Sequence, residues 1–392
     1  MKIGIFISPA HCVPPDEKNI LAPWVLVQEL ADGLSVNNHH VHLFASSGSI
    51  TQGELHDFGI KPTYTQEPIL SDIDYHRLVV EKENLLFAGM IEVFLKEKLD
   101  LLHIHQPIAG FYEAIRVLPK HIPFIFTLHD PITPARMQIF TKMQQLGNCH
   151  FVSISLSQQH NTNLKFVGNI YNGVSLDVYK YNFELLEYAP CLVVGRIVVQ
   201  KGFDDAIKAV KQAGEKLILA GQVYQEQPEA YRYYQEKIAP NIDGNTVIME
   251  PLLRRDHLVG HYQMAKALLF PIKWEEPFGL VMVEAMACGT PVIAYNRGSV
   301  SEIVRDGVTG FIVEPEDAES VQPSGGYNAG RWIIKKRGVA GLVEAVQRIG
   351  EIDRAACRKH IEENFSVEKM VEGYERVYEK VISDKKQETS DK

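Results

Sequence analysis

Short apolar runs alternate with stretches of helical spacing along this chain, in two successive series. No other feature limits the fold as strongly. In the first series Ile3–Ile7, Val41–Ala45, Leu101–Ile104, Phe124–Leu128, Phe151–Ile154 and Asn169–Tyr171 read as strands, while Trp24–Leu34 and Asn84–Leu95 carry apolar residues at helical intervals. The second series starts with a strand at Cys191–Val194. It runs through a helix at Phe203–Gln212, a strand at Lys216–Ala220, a helix at Pro228–Lys237 and a strand at Thr246–Met249. A helix at Asp256–Ala265, a strand at Ala267–Phe270, a helix at Gly279–Ala287 and a strand at Pro291–Ala294 complete it. Such alternation predicts α/β domains built around largely parallel sheets.

The 392 residues suffice for two domains. Ser175–Pro190 reads as a linker, Glu316–Gly341 as a surface excursion before a helix at Leu342–Ile349, and Val367–Ile382 as a long terminal helix with one apolar stripe. Hydrophobic residues at 45% and charged residues at 23% describe a soluble globular chain. Forty Lys and Arg against 49 Asp and Glu leave a net charge of −9, which argues against a dedicated nucleic-acid binder. No stretch approaches the ~20 apolar residues of a membrane span, so any membrane contact is expected to be peripheral. Ile3–Ile7 is too short for a signal segment. Five widely spaced cysteines predict reduced thiols and, with the absence of a signal, a cytoplasmic protein, at most at the inner face of a membrane.

Two segments carry the chemistry. From Gly279 to Cys288 the sequence is apolar except for Glu284. A buried carboxylate needs strong partners; a ribose diol would serve, and so would an arginine. Glu276 precedes it by eight residues, roughly 12 Å if helical throughout. That is too far for a glycosidase pair on one bond but suits the two ends of an extended ligand. The helix N-terminus between them offers N–H groups to a phosphate. The second segment, Gly195-Arg196 to Lys201-Gly202, joins a strand to a helix and places two cations near glycines, a plausible phosphate seat. Neither a Walker A loop nor a glycine-rich dinucleotide fingerprint follows a strand. Asp72-Ile73-Asp74 reads as a solvated turn, Arg331–Arg337 as an exposed basic edge, and most of the N-terminal histidines as surface or strand-edge residues.

Together these segments resemble the donor half of retaining GT-B glycosyltransferases of family 4. The family shows G-R-x(4–5)-K-G and E-x(7)-E, the latter as E-P-F-G-L-x-x-x-E-A-M-A-x-G-x-P-V. Asn296–Gly298, Glu302, Gly307 and Gly310 continue the pattern, as do Asn172-Gly173-Val174 and Phe365-Ser366. The resemblance implies two Rossmann-like domains facing across a cleft: an N-terminal acceptor domain over 1–180, and a donor domain over 190–366. A terminal helix, 367–384, would cross back to the first domain.

By resemblance, Arg196 and Lys201 bind the donor diphosphate, Glu284 the ribose and Glu276 the transferred sugar. Phe278, Gly279 and Leu280 present backbone N–H groups, and Leu253 meets the base. His129, in Thr127-Leu128-His129-Asp130, resembles the family's catalytic strand-end histidine; His105 and Asp130 would line the acceptor side. The expected partners are a nucleotide-sugar and a glycan, lipid-linked or small-molecule acceptor, with no cofactor and no metal. A sugar-nucleotide epimerase on the same fold and a non-catalytic nucleotide-sugar or glycan-binding protein are the alternatives. Unlike many members, the loop Val13–Trp24 has no glycine.

Overall fold

The computed structural model describes residues 1–16, 21–64, 71–107, 111–160, 162–182, 184, 188–250, 254–318 and 332–390. The chain divides into two compact units, Met1–Gly173 with Val367–Lys392, and Val174–Ser366.

In the first unit, β1 (Lys2–Ile7), α1 (Ala22–Val36), β2 (His40–Phe44), β3 (Glu54–His56), α2 (Asp72–Glu97) and β4 (Leu101–His105) follow in order. Then come α3 (Tyr112–Val117), β5 (Phe124–Leu128), α4 (Pro134–Gln144), β6 (Cys149–Ser153) and β7 (Phe166–Asn169). Among the described residues the strands form one seven-stranded parallel sheet, ordered β3-β2-β1-β4-β5-β6-β7. Its central strands are buried throughout, as near-continuous apolar runs dictate when helices cover both faces. Leu86, Phe87, Met90 and Phe94 of α2 pack into the cluster that Phe6, Phe44, Ile104 and Phe124 form on one face.

The second unit contains β8 (Cys191–Arg196), α5 (Phe203–Ala213), β9 (Leu217–Gln222), α6 (Pro228–Tyr233), β10 (Val247–Glu250), α7 (Arg255–Met264) and β11 (Leu268–Phe270). It continues with α8 (Leu280–Ala287), β12 (Val292–Tyr295), α9 (Val300–Ile303), β13 (Gly310–Val313), α10 (Gly338–Arg348) and α11 (Arg354–Asn364). Its parallel sheet runs β10-β9-β8-β11-β12-β13. The terminal helix α12 (Val367–Ser390) belongs to the first unit, where Met370, Val371, Tyr374, Val377, Tyr378 and Val381 are buried.

In both sheets the strand order reverses once at the centre, between β1 and β4 and between β8 and β11. In open parallel sheets that switch point, outside the carboxyl ends of the strands, is where ligands bind.

Several readings of the sequence change here. Asp72-Ile73-Asp74 is the first turn of α2, not a free turn. Ser71 caps it by accepting from the Asp74 N–H at 3.2 Å, and the carboxylate of Asp74 complements the helix dipole. In the basic segment Lys335, Lys336 and Arg337 are exposed, as expected, while Trp332 and Ile334 are buried anchors; Arg331 lies outside the described residues. The linker stretch Ser175–Pro190 contributes buried Tyr179 and Ala189. The last strand of the first sheet spans Phe166–Asn169, earlier than Asn169–Tyr171. The helix expected over Pro228–Lys237 ends as α6 and passes into a π-turn at Tyr234–Ile238.

Candidate active site

The two charged segments of the second unit meet at its switch point. Arg196 ends β8, Lys201 lies in the short 3-10 turn that follows, and Glu276 sits in the loop after β11. The Lys201 ammonium donates to Oε2 of Glu276 at 2.6 Å, and the Trp274 indole N–H donates to the same oxygen at 2.9 Å. The ammonium also lies 5.7 Å from the Phe270 ring centroid and 5.5 Å from that of Trp274, within cation–π range. Arg196 is exposed, and among the described residues its guanidinium has no ion-pair partner.

Two glycines make this approach sterically possible. Gly202 has φ +67°, and a Cβ there would stand 1.9 Å from the Pro271 carbonyl oxygen. Gly298 has φ +55°, and a Cβ there would stand 2.2 Å from the Glu276 carbonyl oxygen. The Ser299 N–H donates to that same carbonyl at 3.1 Å, and Ser299 Oγ donates to the Phe278 carbonyl at 2.6 Å. The Gly298-Ser299 corner therefore holds the backbone of Glu276 and Phe278. Phe278 is buried, and Gly279 leads directly into Leu280, the first residue of α8, whose N-terminus faces the end of this loop in sequence.

Glu284 is buried on α8. The arginine partner that the sequence left open is not what it meets: Tyr179 donates to Oε1 at 2.8 Å and Tyr262 donates to Oε2 at 2.7 Å. Burial, reinforced by this carboxylate, pushes both phenols well above their ordinary range, so both remain donors. Arg255 stacks over Tyr179, 5.3 Å from its ring centroid. Arg358 donates to the Ala287 carbonyl at 3.0 Å and so holds the far end of α8. Leu253, expected to meet the base, lies outside the described residues.

The first unit places a chain of histidines at the ends of β4 and β5. His129 Nε2 is 2.9 Å from His105 Nδ1, and His105 Nε2 is 3.2 Å from His103 Nδ1. His103 meets Tyr378 through Nδ1 at 2.7 Å and Thr127 through Nε2 at 2.8 Å, and Thr127 meets Tyr374 at 2.9 Å. Burial lowers the proton affinity of all three rings: His103 and His105 fall well below the usual range, and His129 falls to about 4, with Asp130 opposing the shift. A neutral imidazole has one N–H. In one assignment of the protons, His129 donates to His105, His105 and the Tyr378 hydroxyl share the lone pair of His103 Nδ1, and His103 donates to Thr127. Nδ1 of His129 is then a bare acceptor.

His105 is buried, with Nδ1 engaged by His129 and Nε2 by His103. Of the twelve histidines before residue 161, His42, His103 and His105 are buried and the other nine are exposed or half-buried, as expected for surface and strand-edge positions. Asp130 accepts from Gln106 at 2.9 Å and Arg136 at 3.0 Å. Gln158, which the sequence did not single out, donates to the carbonyls of Leu128 and Asp130 at 2.7 and 3.0 Å, clamping the backbone on both sides of His129. Tyr374 and Tyr378 were legible only as members of an apolar stripe; nothing in their spacing marked the hydroxyls.

Two family models match the chain, "Glycosyltransferase Family 4" over residues 24–177 and "Glycosyl transferases group 1" over residues 183–322. Among curated proteins it is 24% identical to N-acetyl-alpha-D-glucosaminyl L-malate synthase of Bacillus anthracis, over 98% of each chain. Among solved structures it superposes on sucrose-phosphate synthase of Thermosynechococcus elongatus with a TM-score of 0.70 at 18% identity, covering 98% of this chain and 100% of that one. The Anabaena protein HepE in complex with UDP and glucose matches at a TM-score of 0.65 and 17% identity, over 97% and 100%.

Proposed function

This chain belongs to the family 4 glycosyltransferases of GT-B fold, and on that premise we propose that it transfers a sugar from a nucleotide-sugar donor with retention of anomeric configuration. The acceptor is a glycan, a lipid-linked sugar or a small molecule. The observation that carries this reading is the contact between Lys201 and Glu276 at the β8–β11 switch point, where one cation meets one carboxylate a few residues before the start of α8.

A diphosphate carries more negative charge than Glu276 and competes with it for the Lys201 ammonium. Donor binding on this reading exchanges the ion pair for phosphate contacts from Lys201 and Arg196, and turns Glu276 toward the hydroxyls of the sugar. N–H groups of Phe278, Gly279 and Leu280 at the α8 terminus add positive potential to the same region. Glu284 accepts from the ribose through lone pairs that Tyr179 and Tyr262 leave available, since a carboxylate accepts about four hydrogen bonds.

No protein nucleophile is invoked. The departing diphosphate, stabilised by Arg196 and Lys201, takes the acceptor's proton on the face it leaves, and the fixed cations do the work a divalent ion does elsewhere. His129, neutral and oriented by His105, accepts a hydrogen bond from the sugar. Asp130 stands beside it on the acceptor side. We place the protein in the cytoplasm, with any membrane contact peripheral; no helix among the described residues is long and apolar enough to cross a membrane.

The test is a screen of UDP-, GDP-, ADP- and dTDP-sugars for thermal stabilisation, followed by nucleotide-diphosphate release with and without acceptors. UDP-sugars come first because UDP is bound in the Anabaena structure. Release that depends on an acceptor, with a product of the donor's anomeric configuration by NMR, is expected. An inverted product would overturn the retaining mechanism.

A further inference from the structure

At the free edge of the first unit's sheet, β2 and β3 bring three metal-ligating side chains onto one face. The strands are parallel and in register, His42 beside Glu54 and Phe44 beside His56. Residues two apart on a strand share a face, so Glu54 and His56 stand side by side with His42 across from Glu54. His42 Nδ1 and His56 Nε2 are 3.0 Å apart. Glu54 Oε2 is 3.5 Å from the first, and Glu54 Oε1 is 3.4 Å from the second. Around a tetrahedral Zn²⁺ with bonds near 2.05 Å, neighbouring ligand atoms stand about 3.3 Å apart. The two contacts use different oxygens of Glu54; with one ligand atom from each residue, the three atoms lie within 4.8 Å of one another, close enough for small side-chain rotations to bring them to one face of that tetrahedron.

We propose that His42, Glu54 and His56 form a binding site for one divalent transition-metal ion, Zn²⁺ foremost, with solvent at the fourth position. Two imidazoles and one carboxylate suit Zn²⁺ and its first-row neighbours, whereas Mg²⁺ and Ca²⁺ require oxygen. His42 is buried, His56 is half-buried and the carboxylate is 65% exposed, which leaves an entry path and a place for water.

The surroundings preorganise the ligands. The His56 ring stacks on Phe44 with centroids 4.9 Å apart and planes 18° apart. Beside Glu54, Gly53 allows close approach of the strands: a Cβ there would stand 2.6 Å from the Val41 carbonyl oxygen. Burial, opposed by Glu54, keeps both rings in the neutral form that ligates. Of the other nearby charges, Glu97 of α2 favours a cation, while Lys2 of β1 and Lys96 of α2 oppose it.

The ion would pin a three-residue edge strand that otherwise has one neighbour. It takes no part in transfer. In the order β3-β2-β1-β4-β5, the site is three to four strand spacings from the strand that leads to His129, roughly 14–19 Å. An edge brace made only of an imidazole–imidazole hydrogen bond is the competing account.

The experiment uses the full chain without an affinity tag, dialysed against EDTA, freed of chelator and titrated with Co²⁺. One equivalent should bind, with the strong visible absorption of a four-coordinate ion, and Zn²⁺ should displace it and raise Tm. Glu54→Gln changes only an exposed side chain; it should weaken Co²⁺ at least about tenfold and leave the transfer rate unchanged. His56→Ala should abolish binding. Failure of the parent protein to bind one equivalent, or binding undiminished in both variants, would overturn the proposal and leave the triad as a hydrogen-bonded brace.

Discussion

The Lys201 ammonium and the Glu276 carboxylate, 75 residues apart in sequence, form a 2.6 Å ion pair in which both side chains are largely buried. The cation assigned to the diphosphate and the carboxylate assigned to the sugar are therefore one coupled unit, and removing either leaves the other without its charge partner.

Lys201→Met should lower kcat/KM by about 10²-fold, the cost of removing one preorganised charge stabiliser. Glu276→Gln should lower kcat more than it raises the donor KM. The double variant should lose less than the product of the single losses, because each single change already breaks the shared pair. Steady-state kinetics of all three read this directly, and multiplicative losses would show that the two side chains act separately.

Glu284→Ala should do two things. It removes the acceptor from two buried tyrosine hydroxyls, each costing about 1–3 kcal/mol of stability. It should also weaken donor binding by about 1.5–3 kcal/mol, the scale of hydrogen bonds to a charged group. Tyr262→Phe separates the two effects: Tm should fall while the donor Kd stays close to the parent value. Calorimetry with the donor nucleotide measures both, and an unchanged donor Kd in Glu284→Ala would remove the ribose assignment.

Stability should fall on acidification through a defined window. An unfolded histidine has a pKa near 6.5, whereas His129 in the fold lies at about 4 and His11, also lowered by burial, at about 4. Between those values the unfolded chain binds more protons, so unfolding free energy drops as pH falls from about 6.5 towards 4 and is fully retained above that range. His103 and His105, held well below the usual range, extend the loss to lower pH. His129→Gln should flatten the slope by the share of one proton, at most about 1.4 kcal/mol per pH unit. Urea midpoints at a series of pH values check this.

Deleting Val367 onward should expose the faces that Tyr374, Val377 and Tyr378 cover and leave the first unit insoluble or molten. The finer test is Tyr378→Phe, which keeps the ring and removes the hydroxyl 2.7 Å from His103 Nδ1. It should cost about 1 kcal/mol of stability. It should also lower kcat by a few-fold with KM unchanged, because His103 and His105 position His129 from behind. An unchanged kcat with the stability loss would make the tyrosine purely structural.

Transfer should persist in EDTA. Arg196, Lys201 and the α8 N-terminus supply the positive potential that a leaving diphosphate needs. Loss of activity in EDTA, restored by Mg²⁺ or Mn²⁺, would refute the fixed-cation account. A fall in Tm with an unchanged rate is the result expected if the edge site of β2 and β3 holds an ion.

The sequence by itself determined the class of fold and the donor-side charges. Strand–helix alternation is a local signal, because burial on both faces makes a parallel strand apolar throughout and a covering helix apolar at intervals of three and four. The pattern from Glu276 to Pro291 is equally local, since one helix and its entry loop carry it. What only tertiary structure decided lies across strands and between distant segments. Tyr179 and Tyr262 reach Glu284 from 105 and 22 residues away, and Tyr378 reaches His103 across 275. None of these separations leaves a trace in spacing, because a tyrosine hydroxyl reads as part of the core until the opposite polar atom is placed. The His42, Glu54 and His56 cluster depends on the register in which β2 and β3 pair, with the close approach at Gly53, not on any run of residues that could be read in line.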